Sequence, residues 1–184
     1  MAAADPVGEL AVLWRAAATL DIDELSGRLV EVARAAGSLS ELPLALTVRM
    51  YLLFFSGELT AATELIEDME MTAAAIGSTQ TPFGALGLAA LQGHEDDVTV
   101  LVESTLREVT PRGEGIGITT TEWATAVLYG GLGRHDVAFA AAGQGAQHLD
   151  NLAMGPWCLV ELIEAAARAG SQHRRAWPCG SSRR

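Results

Sequence analysis

Residues 119–140 read TTTEWATAVLYGGLGRHDVAFA, and this stretch decides the fold. Its apolar run ends at Gly133, and a segment that opens with Arg134, His135 and Asp136 follows directly. Acidic residues favour the first turn of a helix, and glycine is common just past the last turn. The stretch therefore predicts two antiparallel helices joined by a tight glycine turn.

The same pattern recurs along the chain at a nearly constant interval. Gly57, Gly93, Gly133 and Gly170 are separated by 36, 40 and 37 residues, and each follows an apolar stretch. Repeats of roughly this length, built from pairs of helices, are typical of tetratricopeptide-like proteins. We therefore predict an all-α fold in which antiparallel helical hairpins stack as a tetratricopeptide-like α-solenoid.

The residues around each glycine test this repeat. A tetratricopeptide turn has a packing residue four positions before the glycine and a small residue five positions after it. The fourth copy breaks the pattern, because Arg175 stands where a small residue is expected. The first three copies fit, with Leu53 and Ala62 around Gly57, Ala89 and Val98 around Gly93, and Tyr129 and Ala138 around Gly133.

Apolar periodicity and capping signals set the expected helix bounds. Thr119 with Glu122, and Asp21 with Glu24, have the spacing of capping boxes that begin helices. No segment has the alternation of a strand. We predict one helical-repeat domain over 1–170 and a basic, disordered tail over 171–184. The predicted helices are 5–18, 22–36, 41–55, 58–76, 83–92, 95–110, 119–131, 135–150 and 156–169.

Charge separates the body of the chain from its end. The formal net charge is −11, and all twelve basic residues are arginines. Residues 1–167 contain every acidic residue and seven arginines, whereas 168–184 contain five arginines and no acid. An acidic body repels phosphate, which argues against specific DNA binding by this chain.

Cysteine usage and hydropathy indicate a cytoplasmic protein. Cys158 and Cys179 cannot form a disulfide framework, which favours a reducing compartment. The N-terminus has no base before Arg15, unlike a secretory signal. The most apolar stretch, 42–55, is too short to cross a bilayer and contains Arg49, so no membrane association is expected.

The residues needed for common chemistries are missing. A chain without lysine cannot form the phosphate-binding loop of ATPases, and the glycine-rich 113–117 is expected to be a flexible connection between hairpins. The acidic run 94–97 cannot converge on one metal ion, because consecutive helical residues point in different directions. Cys158 lies on an apolar helix with no histidine placed to activate it, so we expect a buried thiol. We predict a protein that is not an enzyme and uses no cofactor or metal.

The chain resembles the helical-repeat middle region of large ATP-binding transcriptional regulators of the LuxR family. The resemblance covers about residues 20–170 and departs from the family at Gly130, where asparagine is common. It is most specific at 112–117, RGEGIG, and at 123–129, WATAVLY. Further matches are 39–46, LSELPLAL; 82–86, PFGAL; 105–108, TLRE; 131–134, GLGR; and 159–166, LVELIEAA.

The resemblance implies a sensor or interaction module. Regulators of this family place an ATPase module before the repeats and a helix-turn-helix after them, and this sequence matches neither. Its last 14 residues are rich in arginine, tryptophan, proline and serine, and they resemble an out-of-frame translation of GC-rich coding sequence. We therefore expect a truncated or frameshifted fragment; the alternative is an ordinary basic terminus.

Three functions stay open at the level of sequence. The first is an interaction or regulatory module of the LuxR type, and the second is a stand-alone scaffold that binds a protein partner. The third is a small-molecule sensor whose groove is lined by Trp123, Tyr129 and Phe139. Self-association is also expected, because helix 156–169 lacks the apolar partner helix that would cover it.

The charge distribution generates a testable prediction about DNA. We expect no sequence-selective binding of duplex DNA at physiological salt, because the body of the chain repels phosphate. An electrophoretic mobility-shift assay with specific competitor checks this. Selective retardation that survives deletion of 171–184 would contradict the prediction, since the tail could supply only weak, salt-sensitive attraction.

Overall fold

The computed structural model describes residues 22–37, 42–75, 83–148 and 154–176. These residues are all helical apart from the turns between helices, so the prediction of an all-α chain is confirmed for them. They fall into two compact units, which are divided between residues 80 and 81. The helices are α1 (Ile22–Ala35), α2 (Leu42–Ser56), α3 (Leu59–Ala75), α4 (Phe83–Gln92), α5 (Glu95–Arg112), α6 (Gly115–Gly131), α7 (His135–Gly145) and α8 (Met154–Ala176).

The first unit is built around α2, which contacts both α1 and α3. Side chains from α1 and α2 form a buried apolar cluster, and Leu65 and Met69 of α3 pack against it. Arg34 of α1 donates to the Asp68 carboxylate of α3 at 2.8 Å, at a half-exposed position. The buried members of the cluster are Val30, Ala33, Ala45 and Leu46.

The second unit is organised around α6, which contacts α4, α5, α7 and α8. Trp123, at the middle of α6, is 1% exposed and lies against Trp157 of α8, with ring centroids 5.9 Å apart. α7 and α8 also contact each other, so α6, α7 and α8 enclose a common space. Other fully buried side chains of this unit are Leu86, Val109, Leu128, Met154 and Cys158.

Four helix-to-helix turns share one backbone geometry. At the α6–α7 turn, Gly133 adopts φ +76°, and its N–H donates to the carbonyl of Gly130. The next N–H, of Arg134, donates to the carbonyl of Tyr129. This pair of bonds is the Schellman motif, which satisfies the last carbonyls of a helix and needs a left-handed residue at its turn. The motif recurs at Gly57, Gly93 and Gly113, with φ of +79°, +77° and +67°.

The predicted turns at Gly57, Gly93 and Gly133 are therefore confirmed, and Gly113 adds one that the sequence did not predict. The prediction for 113–117 as a flexible connection is wrong. Gly113 is the left-handed residue of the α5–α6 turn, and the first turn of α6 begins at Gly115. The 40 residues between Gly93 and Gly133 therefore contain a further glycine turn at Gly113, so that α4, α5 and α6 each end in a glycine turn.

The capping box predicted at Thr119 is also wrong. Helix α6 starts four residues before Thr119, whose Oγ1 donates to the carbonyl of Gly115 at 3.0 Å instead of capping the helix. Thr120 and Thr121 also donate to carbonyls one turn back. A threonine inside a helix can bond its hydroxyl in this way, so three buried threonines need no partner outside α6.

Two predicted helix ends also differ from the structure. Helix α8 runs through Gly170 to Ala176, so the turn expected at Gly170 and the helix end at 169 are wrong. Residues 171–176 of the tail expected to be disordered are accordingly helical, and 177–184 lie outside the described residues. Helix α7 ends at Gly145 and not at 150. The predicted helix 5–18 and the Asp21 cap lie outside the described residues.

The shared turn geometry generates a prediction about stability. Gly133→Ala should lower the free energy of unfolding by about 1–2 kcal/mol, because alanine at positive φ brings its Cβ close to the following carbonyl. Gly130→Ala is the matched control: a Cβ there meets open space, and alanine should add about 0.5 kcal/mol to helix α6. Urea denaturation followed by circular dichroism measures both. Equal effects of the two substitutions would contradict the turn assignment.

Candidate functional site

A cleft of about 100 Å³ opens between α6, α7 and α8. Its apolar surface comes from alanines, whose side chains are short, and from glycines, which have no side chain, so the space stays unfilled. A Cβ at Gly130 or Gly131 would meet nothing within 4 Å. The lining residues are Ala126, Gly130, Gly131, His135, Ala138, Glu161, Glu164, Ala165 and Arg168.

The α8 side of the cleft is charged. Arg168 pairs with Glu164 one helical turn away, and it acts on Glu161 only through space. Burial raises the pKa of Glu161 above its ordinary value, Glu164 adds repulsion, and Arg168 opposes both effects. With one arginine facing two carboxylates, this wall carries a net negative charge.

His135 supplies the polar group of the α7 side. It is the first residue of α7, directly after the left-handed turn at Gly133, and its side chain is 8% exposed. Its Nδ1 is buried and has no hydrogen-bond partner among the described residues. A buried polar atom normally has a partner, so this imidazole has hydrogen-bonding capacity that the described fold does not use.

These cleft residues were not predicted as a site from the sequence. In the sequence, His135 stands out only as part of the segment that begins a helix, and the glutamates of 159–166 belong to a stretch that resembles the LuxR family. The available signal was local: Glu161, Glu164 and Arg168 follow each other at intervals of three and four, which places them on one face of α8. The histidine could not be assigned to that face, because it comes from another helix.

The three residues predicted to line a groove lie in different environments. Trp123 is 1% exposed and belongs to the α6–α8 core, so it does not face an open groove. Phe139 of α7 is 47% exposed, and Tyr129 is half-buried at the end of α6. Trp123 and Tyr129 are six positions apart on one helix and therefore project in different directions. That a ligand groove contains Tyr129 or Phe139 stays a prediction.

Tyr129 takes part in a polar cluster that joins α5 to the α6–α7 turn. Its hydroxyl donates to Glu95 Oε1 at 3.3 Å, and the guanidinium of Arg134 lies 4.6 Å from the centre of its ring. Arg134 also pairs with Glu95. These groups satisfy one another at a partly exposed position, so the cluster is read as a cross-hairpin contact.

Glu95 belongs to the acidic run 94–97, and its neighbours point elsewhere. The His94 Nδ1 lies 3.6 Å from the Asp97 carboxylate, whereas Glu95 turns toward Arg134. The divergence follows from consecutive positions on a helix. No group of three metal-ligating side chains converges within the described ranges.

Cys158 is fully buried where α8 approaches α7. Its Sγ lies 3.9 Å from the Thr119 carbonyl, and a Cβ added to Gly145 would come within 2.4 Å of that sulfur. Burial, together with the nearby carboxylates of Glu122 and Glu161, raises the pKa of the Cys158 thiol to about 11. The predicted burial of this thiol is confirmed, and the close approach explains why Gly145 has no side chain.

A wider depression of about 320 Å³ lies between α2 and α3 in the first unit. It is lined by Arg49, Leu53, Ala61, Glu64, Leu65 and Asp68. Two of its three charged side chains are engaged elsewhere, since Asp68 pairs with Arg34 and Arg49 donates to Ser26 at 2.8 Å. The cleft between α6, α7 and α8 is the stronger candidate, because it contains an unpartnered buried polar atom.

Two further findings bear on the class of protein. No protein-family model, curated protein or solved structure matches the chain. In the described ranges, no helix combines the length and the hydropathy that a bilayer crossing requires.

The environment of Cys158 generates a prediction about thiol reactivity. In a Cys179→Ser variant, Cys158 should react with a disulfide reagent about 100-fold more slowly, or slower still, in the folded protein than in denaturant. A pKa of about 11 lowers the thiolate fraction near pH 8 by about two orders of magnitude, and burial blocks access. The rate is followed by absorbance. A folded-state rate within a few-fold of the denatured rate would contradict the burial.

Proposed function

We propose that this chain is a non-catalytic helical-repeat module for interaction and regulation, similar to the sensor region of LuxR-family transcriptional regulators. One observation carries the proposal: the same Schellman turn closes successive helices, and α6 contacts the helices on either side of it. Repeat proteins built from stacked helix pairs use their extended surfaces for recognition. The expected setting is the cytoplasm.

Burial around the turns supports a tetratricopeptide-like arrangement. In the first two copies of the pattern, the residue four positions before the glycine is buried, as Leu53 and Ala89 are. The residue five positions after it is buried in all three copies, at Ala62, Val98 and Ala138. Small or apolar residues at these points let the two helices of a pair approach closely. The stacking of such pairs into a solenoid is part of the proposal.

Exposed apolar side chains support a role in protein contacts. Val160 and Ile163 of α8 are 59% and 68% exposed, and Phe139 of α7 and Val100 of α5 are also exposed. From the sequence we expected uncovered apolar groups on helix 156–169, and Val160 and Ile163 are exposed there. Apolar groups on a surface often mark interaction sites when they lie together, and each of these positions can be tested separately.

Site-specific cross-linking tests the proposal. A photo-reactive phenylalanine analogue placed at Val100, Phe139 or Ile163 should give a defined cross-linked product in cells that naturally express the chain. The product is identified by mass spectrometry as a protein partner or a second copy. The matched control is Glu103, an exposed polar position on α5. Products no different from those at Glu103 at all three positions would contradict an interaction module.

A small-molecule sensor is the second candidate, and the cleft between α6, α7 and α8 favours it.

A stand-alone scaffold and a part of a LuxR-type regulator differ in the genes that would lie beside their own. A neighbouring reading frame that encodes a LuxR-type helix-turn-helix would favour the regulator, whereas its absence would favour the scaffold. Neither possibility assigns this chain ATP or DNA binding of its own.

A further inference from the structure

We propose that the cleft between α6, α7 and α8 binds a small organic cation with N–H donors, of the primary ammonium or guanidinium type. The inference deepens the proposed function, since it names the class of effector for a regulatory module. It rests on four features of the cleft: its charge, its size, its unused hydrogen-bonding capacity and its position between three helices.

Charge selects a cation. Arg168 and Glu164 pair with each other, so Glu161 remains as an additional carboxylate on the same wall. A cation placed beside Glu161 would gain a charge-assisted hydrogen bond in a half-buried setting, where such bonds are stronger than in water. An anion would meet two carboxylates and is disfavoured.

Size limits the part of the ligand that enters. A cavity of about 150 Å³ accepts benzene in a well-studied engineered protein, and the present cleft measures about 100 Å³. A group of roughly four or five non-hydrogen atoms therefore fits, which corresponds to a short alkylammonium or a methylguanidinium. The missing side chains at Gly130 and Gly131 leave room for a longer ligand to continue outward.

Hydrogen bonding favours a donor-rich ligand. The polar lining of the cleft consists of the Glu161 and Glu164 carboxylates, which accept hydrogen bonds, the imidazole of His135 and the guanidinium of Arg168. The buried Nδ1 of His135 lacks a hydrogen-bond partner among the described residues, so a small shift of the ring on binding would let the ligand supply one.

The position of the cleft links binding to regulation. Its walls come from all three of the mutually contacting helices, so an occupant contacts α6, α7 and α8 together. Ligand binding stabilises the arrangement to which it binds. Since α8 also carries the exposed Val160 and Ile163, an occupied cleft would hold that helix in place against α6 and α7.

Isothermal titration calorimetry with four probes tests the inference on the full chain. Ethylammonium and methylguanidinium are the cations, and ethanol and methylurea are their uncharged counterparts of similar shape. We expect saturable binding of at least one cation below about 10 mM, and at least about 10-fold weaker binding of its uncharged counterpart. The comparison of the two cations distinguishes an ammonium site from a guanidinium site.

Three variants locate the binding. Glu161→Gln should weaken cation binding about 10-fold or more, because it removes the unpaired carboxylate. Glu103→Gln removes the same charge from an exposed position of α5 and should change affinity less than about 2-fold. Gly130→Leu fills the cleft from a position where a Cβ meets no atom, and it should abolish binding while circular dichroism shows a folded chain.

The outcomes separate the site from the proposed function. The inference is overturned if neither cation binds, if the uncharged probes bind equally well, or if Glu161→Gln and Glu103→Gln weaken binding equally. The last result would show diffuse attraction to an acidic protein. Cation binding at Glu161 together with negative cross-linking would retain the site and contradict the interaction module. Positive cross-linking without cation binding would retain the interaction module and contradict the cation site.

Discussion

The turn in which one residue adopts positive φ is the constraint on which the described structure depends. Each such turn satisfies the last carbonyls of one helix and sets the direction of the next, and glycine is the residue that does so without strain. Because Gly113 and Gly133 bracket α6, this helix is placed between its neighbours and can contact four of them. The α6–α8 core around Trp123 follows from that placement.

Small residues then decide where helices touch and where they leave space. At Gly145 the lack of a side chain lets α7 approach Cys158 of α8, and at Gly117 it lets α6 approach Val109 of α5. Toward the end of α6, Gly130 and Gly131 face no atom that would fill their place, and the cleft opens there. Glycine thus permits close helix contact at Gly117 and Gly145, and it leaves a ligand-sized space at Gly130 and Gly131.

The sequence predicted the all-α class and the turns at Gly57, Gly93 and Gly133, because these signals are local. It missed the turn at Gly113, since the glycines that follow resemble a loop when their helical contacts are unknown. The five glycines that adopt positive φ, at 37, 57, 93, 113 and 133, include three intervals of 20 residues, but the chain has 19 glycines and its sequence alone does not single out these five. The cleft could not be predicted, because its lining residues, among them His135 and Glu161, come from three helices and share one space only when these are assembled.

Nuclear magnetic resonance of segment 113–117 tests the central claim that a glycine turn and a helix start replace a flexible connection. We expect backbone order parameters of about 0.85 from Gly113 onward and a positive φ at Gly113. We also expect nuclear Overhauser effects between Gly117 and Val109. Order parameters below about 0.6 across the segment, with no effects between Gly117 and Val109, would contradict it.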